Sequence, residues 1–392
     1  MFILEITILI SFIFLQGIWL TYLFRVIFEK NKNKIVKQLF ISLGFLLNLA
    51  FDFLLIFLIL LYRTLFGWIR FYSLYYFIDW IIILGVLISI PPIFLLIIFF
   101  IDYIKGKNHK IVFDINKRKF LKRAAIASTV LGAPLTYHIY SERENVEIVK
   151  MGISDKSLPQ AFNGFRIVQI SDIHSSFYIR EKYLNHVVEE INKLNGDILV
   201  LTGDYITHLG DKKHFPEFIR SFSKLNNSYK KYAVLGNHDF WTDHRFVESS
   251  LNELGIKVLR NESSKIIKND ETIYLAGIDD IIVNRQDIKK ATSNVILSEF
   301  SILLCHSPDF IYDAVKYNFN IMLSGHTHGG QFQLPFIGPL IIPSRFGRKF
   351  GQGLHKVENT HLYVNRGIGV ISPPVRFLCR PEITEITLKK EV

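Results

Sequence analysis

Five short stretches of the chain end an apolar run on residues that can hold a cation. They are Ile170-Ser171-Asp172-Ile173-His174, Leu201-Thr202-Gly203-Asp204, Val234-Leu235-Gly236-Asn237-His238-Asp239, Leu303-Leu304-Cys305-His306 and Leu323-Ser324-Gly325-His326-Thr327-His328. Each reads as a buried strand that delivers Asp, Asn or His onto a turn, often beside a Gly. Polar groups at buried strand ends need partners. A metal centre supplies them, and five such ends in one domain point to one.

The candidate ligands in chain order are Asp172, His174, Asp204, Asn237, His306, His326 and His328. Carboxylate, amide oxygen and imidazole together suit a divalent ion such as Mn²⁺, Fe²⁺ or Zn²⁺. Seven ligands exceed one ordinary site and fit two ions sharing a bridging carboxylate. Asp-x-His and His-x-His put alternate residues on one side of an extended backbone, so each pair can aim at one ion. Two ions about 3.5–4 Å apart can generate a hydroxide and clamp a phosphoryl oxygen. His238 is then left free as an acid toward the leaving oxygen, with Asp239 expected to orient it.

In this pattern the chain resembles the calcineurin-like metallophosphoesterases. Asp172-x-His174, Gly203-Asp204, Gly236-Asn237-His238-Asp239, His306 and Gly325-His326-Thr327-His328 resemble the family's complete five-block signature, over about residues 145 to 390. The resemblance implies one ion on Asp172, His174, Asp204 and His328. The second would lie on Asp204, Asn237, His306 and His326, with Asp204 bridging and His238 as catalytic histidine. It also implies a four-layer α/β sandwich with the metals at strand ends. Gly325 to Gln331 and Tyr363-Val364-Asn365-Arg366-Gly367 are similar to a branch of membrane-associated bacterial enzymes. That branch includes twin-arginine-exported phosphoesterases and a UDP-2,3-diacylglucosamine pyrophosphatase.

The elements that must position these residues follow the same α/β pattern. Strands are expected at 165–170, 197–201 and 232–235, and helices at 180–195, 214–226 and 244–254. This alternation indicates a layered α/β domain. From Thr360 to Leu388 the sequence is strand-rich, with Pro373-Pro374 as a turn.

The remainder of the chain is unlike this domain. Of the net charge of +11, residues 1 to 123 carry 15 basic against 6 acidic side chains, leaving the rest close to neutral. A nucleic-acid partner would want a basic face on the folded domain, and none is expected. Residues 2–28, 39–62 and 78–104 are apolar and long enough to span a bilayer. Lysines follow the first stretch and a Lys/Arg cluster follows the third, which the positive-inside rule places in the cytoplasm. The expected organisation is therefore a three-span α-helical transmembrane region at 1–104 and a basic loop with a fourth span or signal-like segment at 105–144. The catalytic domain would occupy 145–392. Lys117-Arg118-Lys119-Phe120-Leu121-Lys122 resembles a twin-arginine signal with Lys for the first Arg. The favoured topology is a multi-pass inner-membrane protein whose catalytic domain is extracytoplasmic. Asp52, in mid-span, reads as a helix–helix hydrogen-bonding group.

Two cysteines, Cys305 and Cys379, argue against a disulfide scaffold. His208, His214, His244, His355 and His361 lie outside the five stretches and are taken as surface or core residues. Phe332 to Pro343 is apolar and turn-rich. It either docks acyl chains or the bilayer surface, with Arg345, Arg348 and Lys349 meeting phosphates, or packs as an ordinary loop. Arg366, Arg376 and Arg380 either bind a substrate phosphate or serve as surface or internally paired charges. The expectation is a membrane-anchored dinuclear-metal phosphoesterase acting on a phosphodiester or pyrophosphate. Its partners would be the lipid bilayer and a lipid-linked substrate, UDP-2,3-diacylglucosamine-like or a phospholipid. The alternative is a membrane sensor or scaffold that binds a phosphorylated ligand without turnover.

Overall fold

The computed structural model describes residues 141–391 apart from 227, 297 and 340. The spans expected at 2–28, 39–62 and 78–104, the segment 124–140 and Asp52 lie outside the described residues, as does most of the basic loop. Among the described residues no helix is long and apolar enough to cross a membrane.

Two six-stranded sheets carry the structure. The first runs β1 (Glu147–Asp155), β14 (Glu382–Lys390), β2 (Arg166–Ile170), β3 (Ile198–Thr202), β4 (Lys230–Val234) and β5 (Ile256–Val258) in spatial order. β2 through β5 are parallel, and β14 pairs antiparallel with β2 and parallel with β1. The second runs β12 (Gly353–Val357), β13 (Thr360–Val364), β9 (Ile321–Ser324), β8 (Ser301–Leu304), β7 (Glu271–Gly277) and β6 (Glu262–Lys268). Its inner four strands are parallel and its two edges antiparallel. A small hairpin, β10 (Gln333–Leu334) and β11 (Gly338–Pro339), follows β9.

Side-chain alternation explains the layering. Ile302 and Leu304 of β8 and Ile321 and Leu323 of β9 face the first sheet's Ile167, Val200 and Val234 in one buried core. Their neighbours Leu303 and Met322 point the other way, into a second core with Ile311 and Ala314 of the helix Ile311–Lys316. Central parallel strands buried on both faces must be apolar throughout, and all five residues of β3 are buried. The expected helix at 180–195 is present as α1 (Glu181–Lys193), with Tyr183, Leu184, Val187, Val188 and Ile191 forming the buried stripe of a 3.6-residue repeat. It packs with α2 (Phe215–Phe222). The helix expected at 244–254 spans His244–Glu253 and starts at Asp243, whose carboxylate accepts the Phe246 N–H. In the 360–388 stretch only β13 and residues 382–388 of β14 are named strands; between them lies an irregular loop containing the cis Ser372–Pro373 bond.

A candidate dinuclear metal centre at the strand ends

Every expected ligand follows the carboxyl end of a parallel strand. Asp172 and His174 follow β2, Asp204 follows β3, Asn237 follows β4, His306 follows β8, and His326 and His328 follow β9. Ligands of open α/β sheets gather at such ends. Asp172, His174, Asp204, His326 and His328 have φ of 51°, 48°, 58°, 69° and 51°. Left-handed backbone is uncommon for residues with a Cβ, and where it recurs the surroundings enforce it. The five residues stand two or four positions beyond the last residue of their strands, in the turns that leave the sheets.

Glycines let these turns approach one another. A Cβ on Gly236 would lie 2.2 Å from Asp204 Oδ1, and one on Gly325 would lie 1.8 Å from Ser171 Oγ. Neither distance is attainable, so Gly at both positions is a packing requirement.

The side chains converge in two groups, Asp172 with His174 and His328, and Asp204 with His306 and His326; within each group the ligand atoms lie within 4.8 Å of one another. Asp204 reaches both, its Oδ2 being 3.1 Å from His306 Nε2 and 3.6 Å from His174 Nε2. His174 Nε2 and His328 Nε2 face each other at 3.1 Å. Asn237 is buried, and its Oδ1 has no hydrogen-bond partner. An unpartnered buried acceptor beside converging carboxylates and imidazoles fits a cation site.

Two tautomers are set by the backbone. His306 Nδ1 lies 2.6 Å from the Thr202 carbonyl, which can only accept, so His306 presents Nε2 to the Asp204 group. His238 Nδ1 likewise donates to the Thr207 carbonyl at 2.9 Å. The His238 ring stands edge-on to His174 with centroids 4.9 Å apart. Burial pushes Asp172 up to about 6, countered in part by His306, and pushes Asp239 up to about 8 with the Asp204 charge adding to it. Crowded, desolvated carboxylates of this kind are what divalent cations offset.

Asp239 does not orient His238, contrary to expectation. Its carboxylate accepts the backbone N–H groups of Asp204, Tyr205 and Gly236 at 2.8–2.9 Å. A carboxylate at the third position of a short helix reaches back to the preceding amide more readily than sideways to its neighbour's ring. The group placed behind His238 is the Thr207 carbonyl, and the Thr207 hydroxyl lies 3.1 Å from His174 Nδ1.

The arginines expected as alternatives for phosphate binding are internally engaged. Arg376 is fully buried and donates to the carbonyls of Arg366, Gly369 and Cys379. That clamps the segment whose Ile368 and Gly369 amides donate to the Ser171 and Asp172 carbonyls. Arg366 pairs with Glu147 and Glu382, and Arg380 donates to the Asn145 backbone and side chain. Cys305 and Cys379 are free and buried. Asp280, after β7, is a buried carboxylate whose charge adds to the field at His306.

Residues 165–330 match the family model for calcineurin-like phosphoesterases. The chain is 38% identical over 280 residues to the uncharacterized metallophosphoesterase YkuE of Bacillus subtilis, covering 70% of this chain and 98% of that protein. It belongs to the calcineurin-like metallophosphoesterase family. The chain is also 29% identical over 283 residues to a Danio rerio transmembrane protein with metallophosphoesterase domain, covering 69% of this chain and 63% of that one. Over 322 residues it is 27% identical to the UDP-2,3-diacylglucosamine pyrophosphatase LpxG of Chlamydia trachomatis, covering 66% and 95%. As a calcineurin-like metallophosphoesterase the protein is a metal-dependent phosphoester hydrolase, and its family works with a dinuclear divalent metal centre.

Proposed function

We propose that the protein is a membrane-anchored phosphodiesterase or pyrophosphatase acting on a lipid-linked phosphoester. The observation that carries the chemistry is the Asp204 carboxylate reaching both side-chain groups, with the His238 ring beside them. Asp172, His174, Asp204 and His328 would hold one divalent ion, and Asp204, Asn237, His306 and His326 the other. Bound there, such ions supply Lewis acidity toward phosphoryl oxygens and a water acidified toward neutral pH. With its Nδ1–H held by the Thr207 carbonyl, His238 has Nε2 to carry a proton to the leaving oxygen. The same carbonyl can accept from Nδ1–H whether or not Nε2 carries a proton, so the ring keeps its orientation through the transfer.

Three apolar stretches of spanning length in residues 1–104 support the anchor. The named relatives, a transmembrane protein and a pyrophosphatase of a diacylated nucleotide sugar, support a lipid-linked substrate. Two substrates follow from two topologies. An extracytoplasmic domain, which the signal-like segment near Arg118 favours, meets phospholipid or envelope phosphodiesters; a cytoplasmic one meets UDP-linked lipid. The test begins with reporter fusions ending at Lys110 and Lys150, followed by the full chain in nanodiscs with Mn²⁺ and a panel of both substrate classes. Manganese-dependent turnover abolished by a chelator supports the reading. Tight binding of phosphorylated lipid without turnover of any panel member would instead establish a sensor.

A further inference from the structure

Among the described residues eleven large apolar side chains are exposed, and eight of them sit on segments that follow the carboxyl ends of the parallel strands. That is the end of the sandwich bearing the metal-ligand groups. Trp241 is 53% exposed, and its ring lies 5.0 Å from that of His238. On the His328 side, the β10–β11 hairpin is tied to the centre by Gln333 Nε2, which donates to the Gly329 carbonyl at 3.0 Å. At its turn Phe336 is fully exposed, at 109%, and Ile337 is 55% exposed; Ile341, just beyond, is 57% exposed. Phe336 also holds a left-handed φ of 65°, an uncommon conformation for a bulky residue. Arg348 Nη1 fixes the turn by donating to the Ile337 carbonyl at 2.7 Å. Leu378, 48% exposed, flanks the hairpin through the Gln333–Phe377 backbone bond.

Single exposed apolar residues are normal on any protein, but a cluster on one face marks an interaction surface. Aromatic and aliphatic tips beside exposed cations match an anionic bilayer, where rings sit at headgroup depth and Lys and Arg near the surface are attracted to the lipid charge. Arg345, Arg348 and Lys349 are exposed directly after the hairpin. The chain also carries three apolar stretches of spanning length ahead of this domain. We propose that the metal-bearing face docks on an anionic lipid bilayer, the hairpin lowering Phe336 and Ile337 beneath the headgroups so that lipid phosphates reach the centre without leaving the surface. This deepens the lipid-linked reading and rests on it.

The test reads depth and not hydrolysis, so its outcome is separable from the identity of the substrate. Both native cysteines are buried, so bimane placed by Phe336→Cys labels one site in the full chain. The chain is reconstituted in nanodiscs of phosphatidylglycerol and phosphatidylcholine carrying acyl-chain nitroxides. Ile267→Cys, 62% exposed near the β6–β7 turn at the opposite strand ends, is the control. Quenching several-fold stronger at position 336 than at 267 is expected. Equal, weak quenching at both positions overturns docking. Strong quenching at 336 that is unchanged in purely zwitterionic discs overturns the part assigned to anionic lipid.

Discussion

Asp204 Oδ1 accepts the backbone N–H of His238 at 2.9 Å, while Oδ2 of the same carboxylate faces His174 and His306. The residue between the two ligand groups thus also fixes the start of the helix that carries the proposed acid. Asp204→Asn should therefore disturb both. We expect metal content measured by mass spectrometry to fall below one ion per chain, and hydrolysis to fall by more than the roughly 10–100-fold typical of losing an outer-shell partner. Retention of two ions would show that Asp204 does not bridge.

His238→Gln should separate chemistry from metal binding. The substitution leaves the expected ligands in place, so both ions are retained. Turnover of a phosphodiester with a poor leaving group should drop by about 10²–10⁴-fold. An activated nitrophenyl ester needs less protonation of its leaving oxygen and should lose less. Equal losses on both substrates would remove His238 from the role of acid.

Asp239→Ala tests whether this carboxylate is a brace. It would strip three buried backbone N–H groups of their acceptor. Each unpaired buried group costs about 1–3 kcal/mol, so Tm should fall markedly. A variant with wild-type Tm but no proton transfer to the leaving group would restore the orienting role that the geometry argues against.

Gly325→Ala should empty the first group. Its Cβ would lie 2.3 Å from Asp172 Oδ2 as well as against Ser171. Asp172 must then move, although the accepted amide bonds from His326 hold it in place. Manganese titration followed by electron paramagnetic resonance should show loss of the coupled two-ion signal. Its persistence would mean that the turn can shift without cost to the site.

Acid sensitivity should include a contribution far from the centre. Arg180 donates to both oxygens of Glu217, and that bond holds the Glu217 carboxyl at about 2, well below its ordinary 4.5. The native state therefore binds fewer protons than the unfolded one between these values. The stabilisation is complete above pH 4.5 and is lost as pH falls toward 2. Urea midpoints of wild type and Glu217→Gln should differ most above pH 5 and converge near pH 2. A gap independent of pH would assign the effect to packing.

The fold elements and the convergence of the candidate ligands were legible because both announce themselves in side-chain type. Helix α1 shows its buried stripe at Tyr183, Leu184, Val187, Val188 and Ile191, and each ligand stands where an apolar strand stops. What escaped was backbone. The Thr207 and Thr202 carbonyls that set the His238 and His306 tautomers carry no signal in residue identity. Asp239 invited a misreading because adjacency in sequence to His238 is not adjacency of functional groups on a helix. For Arg376 the sequence leaves phosphate binding and internal pairing both open, because its planar fork of donors serves carbonyls as well as phosphates; the structure shows it donating to carbonyls.

Among the described residues β1 pairs only with β14, in parallel register from Glu147↔Glu382 to Asp155↔Lys390, and this sets an order in time. While the ribosome is still adding residues, β2 can pair with β3 and β4 as each emerges. The segment that begins the domain has no partner strand until the stretch that ends it has been released. During that interval the open edge of the first sheet is β2, and β1 joins it only when residues 382–390 thread between the two.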